Sequence, residues 1–183
     1  MATRCKGPFW VPHTQGGVTY DLSHLHAHSV THVFPATPGP AGRVGRPEVE
    51  VRVDIHYSHH CFTQDAQKIQ RYSVDEIYED QGRREERIFC VDRWTLSKSL
   101  PGIIADLGRR RCYQTRHMNF VTVELEHAKP SFYVVYFRVG PAAGAGVDFF
   151  VESAYPVAAN PIAAGGYQNA TLNKIISLGM RKK

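Results

Sequence analysis

Apolar and polar residues alternate most clearly between Glu48 and Thr63. There Val49, Val51, Val53, Ile55, Tyr57, His59 and Cys61 fall on one face, and Glu50, Arg52, Asp54, His56, Ser58 and His60 on the other. Side chains repeat every second residue along a strand, so the pattern predicts one long β-strand with a single buried face. Three more alternating runs follow one another later in the chain: Asn119 to Glu126, Phe132 to Val139 and Val147 to Tyr155. The links between them, HAKPS and GPAAGAG, are short and turn-like, which predicts an antiparallel meander.

A helical period replaces the alternation from Ser97 to Leu107, where Leu100, Ile103, Ile104 and Leu107 recur on one side. Pro101 falls in the first turn, where its missing N–H costs nothing, and Gly108 follows the last apolar position as a C-cap glycine would. Just before this helix, RIFCVDRWT (Arg87 to Thr95) reads as a strand. Near the start, Gly16-Gly17 punctuates a short hairpin, and Asp21-Leu22-Ser23 caps a short turn. Residues 35–47, PATPGPAGRVGRP, are an exposed loop because Pro and Gly interrupt every few positions. The charged residues 64–87 predict a surface excursion with one helical turn, and 156–170 an extended segment. The type of the last element, Leu172 to Leu178, stays open.

A helix followed by a meander predicts an α+β fold: an antiparallel sheet with the main helix packed on one face, plus an N-terminal β-rich extension. Residues 1–183 suit a single domain, with a loop-rich extension at 1–47, a core at 48–156 and a C-terminal tail at 157–183.

Composition narrows this. Hydrophobic residues make up 43% of the chain, enough to bury a core, which excludes global disorder. No apolar run reaches the roughly 18–20 residues that span a bilayer, and Met-Ala-Thr-Arg-Cys-Lys has no apolar stretch behind its charge. The expectation is a cytoplasmic protein with no membrane association. Lys and Arg (22) outnumber Asp and Glu (17), and the excess is concentrated at Arg109, Arg110, Arg111 and Arg116 and at the terminal Arg181, Lys182 and Lys183. Such clusters draw polyanions by counterion release, so Arg109, Arg110 and Arg111 are candidate nucleic-acid contacts; a solvated face is the alternative.

Common catalytic signatures are absent: there is no phosphate loop, no GxGxxG after a strand, no HExxH and no GxSxG. The stretch RRRCYQTRHMN nevertheless gathers Tyr113, Thr115, Arg116 and His117 between the helix and the meander. Metal-independent RNA cleavage needs a general base, a general acid and cations for the phosphorane, and these residue types supply them. His117 titrates near neutrality and Arg116 can grip a phosphate with two parallel hydrogen bonds. Arg138, Ser153 and Tyr155 are candidates to project toward the same cleft from the second and third meander strands.

The order SKSLPGIIADL, NFVTVELE, FYVVYFRV, VDFFVESAY resembles the barnase–EndoU–colicin–RelE group of small ribonucleases over about residues 95–156. HYSHHCFT and FCVDRWTLSKSLP resemble segments of small bacterial proteins. The first resemblance implies an endoribonuclease acting without metal as a toxin or phage-defence effector. The candidate catalytic residues remain those read from the residue types, His117, Arg116, Thr115, Arg138, Ser153 and Tyr155, and the expected partners are RNA and an inhibitory or effector protein. The departure from that group is the N-terminal half, which has no counterpart in a minimal toxin domain.

Two further readings stay open. The arginines and an aromatic sheet face suit a binding module without catalysis, holding nucleic acid or an acidic protein. Alternatively, His59 and Cys61 on one strand face, with Cys90 on a neighbouring strand, supply ligands for a structural zinc ion, which takes about four N or S donors. Otherwise Cys5, Cys61, Cys90 and Cys112, which form no CxxC pair, are free thiols and no cofactor is needed.

Overall fold

The computed structural model describes residues 9–41, 44–78, 86–115, 119–125 and 132–181. Its strands are β1 (His13–Gln15), β2 (Val18–Tyr20), β3 (His28–Phe34), β4 (Val49–Tyr57), β5 (Thr63–Asp65), β6 (Ile77–Tyr78), β7 (Arg87–Phe89), β8 (Cys112–Gln114), β9 (Asn119–Glu124), β10 (Phe132–Pro141), β11 (Gly146–Val157) and β12 (Gln168–Ala170). The α-helices are α1 (Val91–Ser97), α2 (Leu100–Ala105) and α3 (Leu172–Arg181). The fold is α+β.

Seven strands form the main sheet in the order β12-β8-β9-β10-β11-β4-β3. The expected meander is its centre: β9, β10 and β11 pair antiparallel, and β8 joins β9 in the same sense. β4 then docks parallel to β11, and β3 closes the sheet antiparallel to β4. The N-terminal β-rich extension contributes β3 to the main sheet. The C-terminal tail likewise contributes β12 and α3.

One face of the sheet is the core. Val51, Val53, Ile55 and Tyr57 of β4 lie beside Val147, Phe149 and Val151 of β11 and Val135, Phe137 and Val139 of β10, all buried. Leu100, Ile103 and Ile104 of α2 and Ile175 and Ile176 of α3 belong to the same core cluster. Helix α3 seats closely because Gly179 lies on Val139, where an added Cβ would be 2.5 Å from Val139 Cγ1. A smaller sheet, β5-β7-β6, packs with Trp10, Phe62, Tyr78 and Phe89. The β1–β2 hairpin turns at Gly16 and Gly17, whose φ angles of 57° and 76° suit glycine.

Four sequence expectations change. The strand begun at Glu48 stops at Tyr57, because the Ser58 side chain accepts a hydrogen bond from the His60 N–H and caps a 3-10 turn, His59–Cys61. RIFCVDRWT is a strand only to Phe89, and Val91–Ser97 is helix α1. The helix expected from Ser97 to Leu107 is α2 alone. Pro101 has no N–H to give the Ser97 carbonyl, so a continuous helix through 97–101 is disfavoured and α2 restarts with proline in its first turn. Gly108 sits inside a right-handed 3-10 turn, Leu107–Arg109, rather than in a left-handed cap.

Candidate binding face

The opposite, outer face of the sheet carries the polar and aromatic candidates. A register shift decides which residues reach it. Phe137 pairs with Val151, but Tyr136 pairs with Ser153, leaving Glu152 as an extra residue in β11. This β-bulge breaks the strict alternation that would place Ser153 and Tyr155 with the core residues Phe149 and Val151. Ala154 turns inward instead and is fully buried, while Ser153 and Tyr155 join Phe150, Glu152, Tyr136 and Arg138 on the outer face. Arg138, Ser153 and Tyr155 therefore do share a face.

The same pairings align a row of aromatic side chains. Tyr113 of β8 pairs with Phe120 of β9, and Phe120 with Tyr136 of β10. Ring centroids are 5.3 Å apart for Tyr113–Phe120, 5.6 Å for Phe120–Tyr136 and 5.6 Å for Tyr136–Tyr155, with planes 24–36° from parallel. Neighbouring strands lie about 4.8 Å apart, so these rings stack on one another across the strands. Tyr167 closes on Phe120 edge-to-face at 4.8 Å, and Phe120 is 1% exposed. Burial, followed by a hydrogen bond to Tyr155, pushes the Tyr136 hydroxyl well above the usual tyrosine range, so it stays a proton donor at neutral pH.

Cations border the row. Helix α1 is tethered by Trp94 Nε1 donating to the Asp21 carbonyl at 2.7 Å, and it brings the Arg93 guanidinium to 5.4 Å from the Tyr155 ring centroid. Arg93 is held there by donating to the Thr63 and His60 carbonyls at 2.6 and 3.3 Å. Arg138 lies 5.5 Å from the Phe150 ring centroid, is ion-paired with Glu152, and its side chain is 61% exposed. Further along the face, His56 lies 3.5 Å from Asp148, and Arg52 donates to Asp54 at 2.8 Å.

Thr115 follows β8 directly. Because Gln114 pairs with Asn119, Asn119 with Phe137, and Phe137 with Val151, Thr115 emerges at the end of the face where Arg138 and Phe150 stand. Arg116 and His117 lie outside the described residues, as do Cys5, Lys182 and Lys183. Arg109 and Arg110 are 3.8 and 3.2 Å from Asp106, and Arg111 is exposed ahead of β8.

The set His59, Cys61 and Cys90 does not come from paired strands. His59 and Cys61 occupy the 3-10 turn, whereas Cys90 follows β7 and its N–H donates to the Phe62 carbonyl at 3.0 Å. Among the described residues no group of three or more His, Cys, Asp or Glu side chains could hold a metal ion. Cys61, Cys90 and Cys112 are free thiols. Burial pushes the Cys61 thiol up to about 12 and that of Cys112 up to about 11, so neither is a nucleophile at neutral pH.

Phe120, Tyr167 and Arg93 were not among the sequence candidates. For Phe120 a signal exists, since alternation in Asn119–Glu124 opposes Phe120, Thr122 and Glu124 to the apolar Val121 and Val123. Arg93 had none, because its position depends on α1 being a helix.

A model of the YjaZ family matches residues 12–178, nearly the whole chain. The chain belongs to the YjaZ family. It is 28% identical over 153 residues to Protein YjaZ of Escherichia coli (strain K12), an overlap of 81% of this chain and 80% of that one. No solved structure matches it. Family membership overturns the resemblance to the barnase–EndoU–colicin–RelE ribonucleases. That resemblance rested on a helix followed by a meander over residues 95–156, an order many α+β folds share. The unit matched by the YjaZ family also takes in β3 and β4 at one end and most of α3 at the other. Among the described residues no helix is long and apolar enough to cross a membrane.

Proposed function

We propose that the chain binds single-stranded RNA through the outer face of its main sheet, by contacts to phosphate and sugar rather than by base recognition. The observation that carries this reading is the juxtaposition of the exposed Arg138 and the Ser153 hydroxyl with the Tyr136–Tyr155 pair. Hydroxyl, guanidinium and phenol donors are the groups that grip a nucleic-acid backbone, and they do so without reading sequence. Mutually stacked rings leave little ring face for bases, which is why hydrogen bonding to the backbone is favoured over base stacking. Arg109 and Arg111 add positive potential ahead of β8, and the formal net charge of +5 favours a polyanion.

Fluorescence anisotropy of a labelled single-stranded oligoribonucleotide tests the reading. Saturable binding that weakens steeply with salt is expected; an unchanged anisotropy at low salt would overturn it.

A catalytic version has one observation in its favour: Thr115 emerges at the Arg138 end of the face. RNA shortened during incubation with the protein and EDTA, and left intact by a His117→Ala variant, would support cleavage. Intact RNA in both leaves binding as the function.

A further inference from the structure

Strand β3 ends the main sheet, and its outer side pairs with no strand among the described residues. The strand at the other end, β12, has three residues; β3 has seven, in unbroken register with β4. Free edges present rows of backbone N–H and C=O groups that template pairing, and proteins usually blunt them with charge, proline, bulges or brevity. β3 has none of these devices, since HSVTHVF contains no Lys, Arg, Asp, Glu or Pro. Val30 and Val33 are each 43% exposed. Beside the end of the strand a groove of about 630 Å³ is lined by Phe34, Pro35, Val49 and Met180 among others, so the edge continues into apolar surface.

We propose that the occupant of this edge is a second copy of the chain, the two β3 strands pairing antiparallel about Thr31. The strand's own order argues for a self-partner. A two-fold axis perpendicular to the sheet requires paired residues to lie on the same face, which restricts the pairing to a few registers. Centring on Thr31 sets His28 opposite Phe34, Ser29 opposite Val33, and Val30 opposite His32. Each imidazole then meets an apolar side chain, as His32 already meets Phe34 edge-to-face at 4.9 Å within one chain. Centring on Val30 would oppose His28 to His32, and centring on His32 would oppose that residue to itself, setting like charges together whenever both imidazoles are protonated. The Thr31 register also pairs all seven residues. It directs the outer faces of both copies to the same side of one continuous sheet.

Light scattering on the eluting full-length protein, from low micromolar to near-millimolar concentration, is expected to give twice the 20.6 kDa chain mass. A Val30→Lys variant is expected to return to the single-chain mass with an unchanged circular dichroism spectrum. The register is tested by Thr31→Cys in a Cys5→Ser background. Facing Cα atoms in an antiparallel pair are about 4.5–5.5 Å apart, within disulfide reach, so mild oxidation is expected to cross-link most of the protein. Thr95→Cys, on exposed α1, should not cross-link. A wild-type monomer at every concentration would overturn the proposal. So would a dimer in which Thr31→Cys cross-links no better than Thr95→Cys.

Discussion

Tyr136 and Tyr155 stand on neighbouring strands with ring centroids 5.6 Å apart and planes 24° from parallel. They meet only because Glu152 is an extra residue in β11, which turns Tyr155 out of the core. Arg93 caps the Tyr155 ring and Arg138 stands on Phe150 nearby, so aromatic surface, hydroxyls and cations converge on one side of the sheet.

Tyr155→Phe removes a hydroxyl and keeps the ring. The stacking and the fold should persist, so chemical denaturation should change little. Affinity for single-stranded RNA should fall by the worth of one hydrogen bond, about 0.5–1.5 kcal/mol or roughly 2- to 13-fold. Anisotropy titration of the variant beside wild type checks this; unchanged affinity would remove Tyr155 from the contact.

Glu152 competes with any phosphate for Arg138, because the two are ion-paired. Glu152→Gln should therefore tighten RNA binding, the reverse of the usual effect of altering a binding face. A several-fold lower Kd at low salt is expected, and a weaker complex would argue that Arg138 does not meet the ligand.

Burial holds the Cys61 and Cys112 thiols above their ordinary value of 9.0, at about 12 and about 11. Above pH 9 the unfolded chain releases these protons and the folded chain keeps them, so stability falls as pH rises. The slope is about 1.4 kcal/mol per pH unit for each thiol, from pH 9 toward its folded value. Tyr57 and Tyr133, likewise pushed up by burial, add to the decline. His13 and His24 are lowered chiefly by burial, so stability should also fall on acidification below their ordinary value of 6.5. Urea unfolding across pH should trace a maximum between these limits, and Cys61 should react with a thiol reagent only on unfolding.

Gly179 is the contact point of α3 on the sheet. Alanine there gains about 1 kcal/mol of helix propensity. Its Cβ would lie 2.5 Å from Val139 Cγ1 and 3.2 Å from the Val139 backbone, however. Overpacking costs about 1–3 kcal/mol, so Gly179→Ala should lower the urea midpoint modestly, whereas Gly108→Ala, with open space around it, should not.

Much of this architecture is legible in the residues. Alternation located β4 and the β9–β10–β11 meander, and Gly16-Gly17 located the first hairpin. Features set by non-local geometry were harder to read. Strict alternation in FFVESAY points Tyr155 inward, and only the pairing of Tyr136 with Ser153 reverses it. RIFCVDRWT is too short for period alone to separate strand from helix, so α1 and its Arg93 escaped. His59 and Cys61 alternate like strand residues, but the Ser58 cap ends the strand before them.

The salt dependence of RNA binding is the most direct test of the outer face. Each cation that neutralises a phosphate adds to the slope of log K against log salt. Arg138→Gln is therefore expected to make that slope shallower by about 0.7, the single-strand value per phosphate, and to weaken binding across all sequences alike. A slope identical to wild type, or no RNA binding by either protein, would contradict the account.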